Sequence, residues 1–426
     1  MGILIPLVLI FFTCLFIWRA CDGFEVASEY IGRNLSEGVR GGTINAISSS
    51  IPELFTTLIA LFVLADKDGF AIGIGTTAGS ALFNGMVIPA VCILAVIGMM
   101  INGKVQKTVN VSTKVILRDG LFLIAAEFLL IITLNGSQLA WWQGFILMGF
   151  YVIYMVYMLK SMKAVDTSSG EEEEEEEDDD EEEGDRGPLG KFFYWLSLGP
   201  LLDLENHFIK EKHQGQIKEE TWNGWPLLLT ATFVIAISCW LLVKGCEWLG
   251  TGNAAHPTYT LFGQEFSGLG MPALFVAVIF ASMATSVPDT IISVRDARKG
   301  EADDAVANAL GSNIFDICFA LGFPLFLYTL IYGPIQMSPD TIQQSGELRV
   351  SLLILTVIGF FVYFIGKRDR STGTPTIPLG KPRAFILLGM YTMYVVYVVG
   401  RGNGWAWTQP ITEFIQRLMI GLPGFG

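Results

Sequence analysis

The chain has 426 residues, of which 52% are hydrophobic and 16% charged, with a mean hydropathy of +0.50. Soluble domains carry about 25% charged residues, so a chain this long and this apolar cannot keep its surface in water. The net charge of −14 is local: Glu171 to Glu183 is an unbroken acidic run, and without its 13 charges the balance is −1. With no basic stripe interleaved with aromatic residues, nucleic-acid binding is excluded.

In chain order, apolar stretches lie near residues 3–30, 41–65, 70–101, 114–134 and 138–161, then 226–250, 268–295, 304–333, 348–366 and 383–400. Stretches of this kind approach the roughly 20 residues that cross a bilayer. They predict an all-α membrane protein with about ten transmembrane helices. Residues 1–161 form an N-terminal five-helix repeat, 162–225 an acidic cytoplasmic loop, 226–404 a C-terminal five-helix repeat and 405–426 a C-terminal tail. Met1 to Trp18 has neither a basic n-region nor a small-residue cleavage site, so a retained first helix is expected.

Lysine and arginine cluster after the odd-numbered spans, as Arg33 and Arg40, Lys104 to Arg118, Lys160 to Lys191, Arg295 to Lys299 and Lys367 to Arg383. The other side offers little beyond Lys67 and Arg349 near its loops. The positive-inside rule then puts the N-terminus outside and the acidic run in the cytoplasm of a plasma or bacterial inner membrane. The acidic run reads as a solvated spacer, with a cation-attracting antenna as the alternative, and Lys191 to Leu204 as a helix lying at the interface. The six cysteines form no CxxC pair, and His207, His213 and His256 are too scattered for a zinc site. No cofactor is expected, and nothing in the sequence sets an oligomeric state.

Two segments repeat. Ser49-Ser50-Ile51-Pro52-Glu53 matches Thr285-Ser286-Val287-Pro288-Asp289, and Gly79-Ser80-Ala81-Leu82-Phe83-Asn84 matches Gly311-Ser312-Asn313-Ile314-Phe315-Asp316. Order and spacing recur together. Because each half holds an odd number of spans, equivalent helices cross in opposite directions, the inverted-repeat plan of secondary transporters. A carboxylate at the centre of a spanning helix costs roughly 2.5–3.5 kcal/mol on insertion scales, so Glu53, Asp289 and Asp316 need a function or a partner. No basic residue lies in these spans to pair with them.

Pro52 and Pro288 cannot donate to the preceding turn, which frees the carbonyls of Ser48 and Ala284. The hydroxyls of Ser49, Ser50 and Thr57, and of Ser282, Thr285, Ser286 and Ser293, stack with the carboxylates at helical spacing. Ser80, Asn84, Ser312 and Asn313 add oxygen donors. Carboxylates, hydroxyls, amides and freed carbonyls are the ligands of a hard cation such as calcium, and without sulfur or imidazole donors they do not suit zinc or copper. Bland roles compete at several positions. Single hydroxyls often bond back to their own helix, Asn84 and Asn313 also suit interhelical glue, Asp22 and Glu247 suit helix ends, and Asp303 and Asp304 suit the dipole at the start of the eighth span.

At these residues the chain resembles the cation/calcium exchanger superfamily. The segments ATSVPDTIISVRDARKGEADDAVANALGSNIFDI, SSSIPELFTTLIALF and GIGTTAGSALFN look most like the potassium-dependent sodium/calcium exchangers. The resemblance implies a membrane antiporter for inorganic cations, with Glu53 and Asp289 as calcium and sodium ligands and Ser49, Ser80, Asn84, Thr285 and Ser312 around them. It also implies potassium co-transport through Asp316. Where the family has glycine ahead of each motif, this chain has Ser48 and Ala284, and Thr251 to Gly270 is longer than in the family. A proton/calcium exchanger of the same fold is the near alternative. An intramembrane hydrolase is the distant one, and neither an HExxH motif nor a nucleophile elbow is present.

Overall fold

A computed structural model of the chain describes residues 1–31, 46–63, 69–101, 103–166, 188–209, 224–254, 256–366, 368–369 and 375–420. The acidic run, Arg33, Arg40 and Lys67 fall outside the described residues.

The first span is α1 (Leu4–Ile31). The second is broken: α2 (Ala46–Ser49) and α3 (Ile51–Phe62) meet at Ser50, where φ is −97° and ψ 5°. The third runs from α4 (Gly69–Leu82) through a π-helical turn at Phe83–Val87 into α5 (Ile88–Val96). The half closes with α6 (Thr113–Thr133) and α7 (Trp141–Asp166). Short helices α8 (Pro188–Leu196), α9 (Gly199–Leu202) and α10 (Leu204–Phe208) follow. The single helix expected over Lys191 to Leu204 is divided among these three; Leu204 packs with Leu227 and Ala27, while Phe192, Trp195 and Leu201 are exposed.

The second half repeats the first. α11 (Trp225–Gly250) leads to a broken seventh span made of α12 (Ala273–Val276), a π-helical turn at Ala277–Ala281, α13 (Ser282–Thr285) and α14 (Val287–Lys299). Its break falls at Ser286, with φ −84° and ψ 4°, and bends the span by 44°. The eighth span is α15 (Ala302–Phe315), a π-helical turn at Asp316–Ala320 and α16 (Gly322–Tyr332). α17 (Pro339–Phe364) and α18 (Lys381–Gly402) complete the set. Both breaks sit two residues before the proline, the position where the missing N–H ends the preceding turn.

Among the described residues, seven helices are long and apolar enough to cross a membrane, and the bent seventh span makes eight. The other two are α2–α3, which is short, and α6, which carries Lys114, Arg118, Asp119 and Glu127 within its 21 residues. Counting these two as spans gives each half the five that the sequence leads one to expect, while length and composition alone support seven or eight among the described residues.

Small ribbons show how the halves are oriented. β1 (Met100–Ile101) and β2 (Lys104–Val105) form a hairpin after the third span. β3 (Val109–Ser112) and β4 (Gln138–Leu139) flank α6, and β5 (Tyr259–Leu261) and β6 (Gln264–Phe266) form a hairpin before the seventh span. β7 (Ile335–Gln336) pairs with β4, and β8 (Thr376–Leu379) pairs with β3. The β3–β8 ribbon therefore joins the loop after the third helix of one half to the loop after the fourth helix of the other. The β4–β7 ribbon does the converse. Both pairings are possible only if the halves cross in opposite directions.

α1 and α11 pack along each other, α16 lies on α7, and α5 lies on α18. Every residue of α4 is buried. Its glycines allow this, since a Cβ on Gly79 would stand 2.1 Å from the Val278 carbonyl oxygen and one on Gly75 2.6 Å from that of Leu274. Gly311, the symmetry mate of Gly79, differs: a Cβ there would meet only the Tyr154 hydroxyl, at 3.4 Å. Of these two matched glycines, only Gly79 stands against backbone.

Two further expectations are corrected. Arg349 does not lie near a loop but is buried inside α17, bonded to the Ser345 and Ile131 carbonyls, because the helix starts ten residues earlier, at Pro339. Asp22 lies well within α1 rather than toward its end, because that helix continues to Ile31. Glu247 pairs with Lys244 at 2.7 Å, and Asp303 and Asp304 do start the eighth span. The C-terminal tail folds as α19 (Gln409–Ile420), which packs on α17.

Gly79→Ala is expected to destabilise the fold by about 1–3 kcal/mol through overpacking against rigid backbone, and Gly311→Ala to be tolerated. Thermal unfolding of the two variants in detergent checks this, and equal effects would contradict the packing described.

Candidate cation site

The four interrupted helical spans converge at mid-bundle. The two proline breaks deliver Glu53 and Asp289 to the first turns of α3 and α14, and the π-helical turns carry Asn84 and Asp316. All four side chains are buried, together with Ser49, Ser50, Ser80, Thr285, Ser286, Ser312 and Asn313.

Ser80 is the hub. Its Oγ lies 3.2 Å from Glu53 Oε1, 3.1 Å from Asp316 Oδ2 and 2.9 Å from Ser286 Oγ. A hydroxyl has one proton, so Ser80 can donate to only one of the two carboxylates. Asn84 Nδ2 donates to Asp289 Oδ2 at 2.9 Å and reaches Ser80 Oγ at 3.4 Å. Ser312 Oγ lies 2.8 Å from Asp289 Oδ1 and also 2.8 Å from the Asn308 carbonyl. Ser49 lies against Asp289, Thr285 against Glu53, and Ser50 beside Asp316 without closing a hydrogen bond.

The twofold relation is visible in these bonds. Ser80 to Glu53 in one repeat mirrors Ser312 to Asp289 in the other. Asn84 to Asp289 should mirror Asp316 to Glu53, but there the amide is replaced by a carboxylate. The two acidic groups face each other, and Glu53 Oε2 and Asp316 Oδ1 lack a partner among the described residues. Ser50 Oγ, Thr56 Oγ1, Thr77 Oγ1 and Asn84 Oδ1 are likewise buried and unpartnered among the described residues. Buried polar atoms left unpaired cost roughly 1–3 kcal/mol each. A cluster of this kind can be satisfied by a desolvated cation held by mixed oxygen donors. No three acidic, histidine or cysteine side chains form a compact metal cluster among the described residues. The carboxylates are instead spaced by Ser80 and Asn84, which bridge them.

Some predicted residues serve structure. Thr57 Oγ1 bonds back to the Glu53 carbonyl, and Thr285 Oγ1 to those of Ala281 and Ser282. Asn308 holds Ser293, and Asn313 Nδ2 reaches across the repeats to the Ala81 carbonyl at 2.9 Å, the glue role. Sequence reasoning missed Thr56, one turn from Glu53. It also missed Cys239, whose thiol donates to the Pro52 carbonyl from the sixth span. Neither carries a motif, and only the fold brings Cys239 there.

Three comparisons bear on identity. The family described as Sodium/calcium exchanger protein matches residues 5–160 and 223–400, which takes in both halves. Human "Sodium/potassium/calcium exchanger 5" is 26% identical over 94% of this chain and 84% of its own length. Mouse "Sodium/potassium/calcium exchanger 4" is 24% identical over 80% of this chain and 74% of its own. A crystal structure of the H+/Ca2+ exchanger CAX covers 97% of this chain and is itself 92% covered, with a TM-score of 0.51 at 12% identity, a likeness of fold. With both repeats matched and their acidic residues facing each other at the bundle centre, the chain belongs to the sodium/calcium exchanger protein family.

Proposed function

We propose that this protein exchanges sodium for calcium by alternating access, with potassium accompanying calcium. One observation carries the reading: Glu53 and Asp316 face each other across a single serine proton, buried, with no basic group bonded to them among the described residues. A bilayer interior does not hold such a pair unbalanced. Glu53, Asp289 and Asp316 are the charged ligands, and Ser49, Ser50, Ser80, Asn84, Thr285, Ser286, Ser312 and the Asn313 oxygen complete an oxygen shell. Calcium takes six to eight such donors. Three ionised carboxylates sum to −3, matched by calcium plus potassium or by three sodium ions. The ions in the relatives' names support this choice. The distribution of lysine and arginine supports an external N-terminus and a cytoplasmic acidic run.

In proteoliposomes, an imposed sodium gradient should drive radiolabelled calcium uptake, and Glu53→Ala or Asp289→Ala should bring it to background. Robust flux in both variants would sink the assignment, and flux driven instead by a pH gradient would identify a proton-coupled exchanger. Asp316→Asn restores the amide symmetry, so its calcium flux should lose stimulation by potassium while still responding to sodium. Ser80→Ala should weaken calcium binding about tenfold, as expected for a hydrogen bond to a charged group. Thr57→Val should leave it unchanged, since that hydroxyl only bonds its own helix. Calorimetry on purified protein separates the two.

A further inference from the structure

The π-helical turn that carries Asn84 is held from outside its own helix. Tyr363, 4% exposed near the end of α17, donates from Oη to the Gly85 carbonyl at 2.6 Å. The donor that a regular helix would bring to that carbonyl is the N–H four residues on, and residue 89 is a proline, which has none. The bilayer core offers no water to a carbonyl left over in this way. A phenol from the ninth span takes the place of the missing N–H.

The second repeat closes its turn from within. Five residues after Asp316, where the first repeat has Pro89 after Asn84, stands Leu321, and its N–H reaches back to the Asp316 carbonyl at 3.1 Å. The first turn is gripped on both flanks of Asn84 instead. Asn313 Nδ2 holds the Ala81 carbonyl at 2.9 Å, Tyr363 holds that of Gly85, and the Tyr391 ring meets Phe83 edge-on with centroids 5.6 Å apart. Between these holds, Asn84 gives Nδ2 to Asp289 Oδ2 at 2.9 Å and keeps Oδ1 unpartnered among the described residues. A π-helical turn contains one residue more than an α-helical one. Relaxing it would rotate one flank of the span against the other by roughly 100°, the angle per residue, and carry Asn84 off Asp289.

We propose, on the reading that these carboxylates bind calcium, that Tyr363 replaces the N–H that Pro89 lacks and is thereby the positioning residue that keeps Asn84 on Asp289, setting calcium affinity from outside the oxygen shell. Calorimetric calcium titration of the full chain in detergent tests this. Tyr363→Phe should weaken binding about fivefold, the worth of one net hydrogen bond. On an Asn84→Ala background the same change should alter affinity by less than about twofold, because the side chain through which it acts is gone. Pro89→Ala, which returns a backbone donor, should recover most of the affinity lost in Tyr363→Phe. A tyrosine that only supports the fold would lower the unfolding temperature and leave affinity alone. That result, equal losses with and without Asn84, or no recovery with Pro89→Ala overturns the proposal. Glu53→Ala separates the two readings: calcium binding that survives it overturns the cation site and the role of Tyr363 together. Binding that is lost there but unchanged in Tyr363→Phe overturns the role of Tyr363 alone.

Discussion

Three carboxylates buried at the centre of an apolar bundle, with no cationic side chain bonded to them among the described residues, set the terms for the surrounding architecture. Burial without compensation is unfavourable, so the helices around them are built to supply oxygen. Proline breaks put Glu53 and Asp289 on first turns, where N–H groups and the helix dipole favour negative charge. The π-helical turns bring Asn84 and Asp316 to the same level. The glycine face of α4 lets Ser80 reach both repeats at once. A bulkier α4 would hold the repeats apart, and the shared hydroxyl would no longer touch both acids.

The repeat was legible because its chemistry is local. Proline, acid and hydroxyl at fixed spacing can be recognised without knowing what they face, and odd span numbers in each half imply inversion. The matched β3–β8 and β4–β7 ribbons follow from that symmetry but have no signature of their own, being two to four residues long. Partnership was the hidden part. Arg349 reads as a loop-side residue from its place before an apolar run, yet it is buried because α17 starts earlier. Glu127 gives no sequence signal beyond its place in an apolar span. It is buried against Thr356, with its second oxygen unpartnered among the described residues. Gly311 copies Gly79 in sequence but not in surroundings, since the repeats contact different neighbours.

Exchange and anchoring also divide the molecule. The carboxylate cluster sits on the interrupted spans, whose bent and π-helical segments offer alternative backbone hydrogen bonding. The Glu347–Arg401–Gln416 network ties α17, α18 and α19 together away from it. Two separate polar clusters result: one joins carboxylates through hydroxyls and an amide, the other pairs Glu347 with Arg401 and Gln416.

The substitution of a carboxylate for the amide that symmetry would place opposite Glu53 has a consequence for leakage. With its cations gone, the proposed site holds like charges side by side in a low-dielectric interior, and that repulsion opposes closing the bundle around it. An unloaded carrier is therefore held back from switching sides until replacement ions arrive. A perfectly symmetric site, with an amide in both places, would carry one charge fewer and would return empty more easily. On the proposed reading, Asp316 would do more than tune which ions are bound: it would make net one-way slippage costly and tie each outward journey to an inward one.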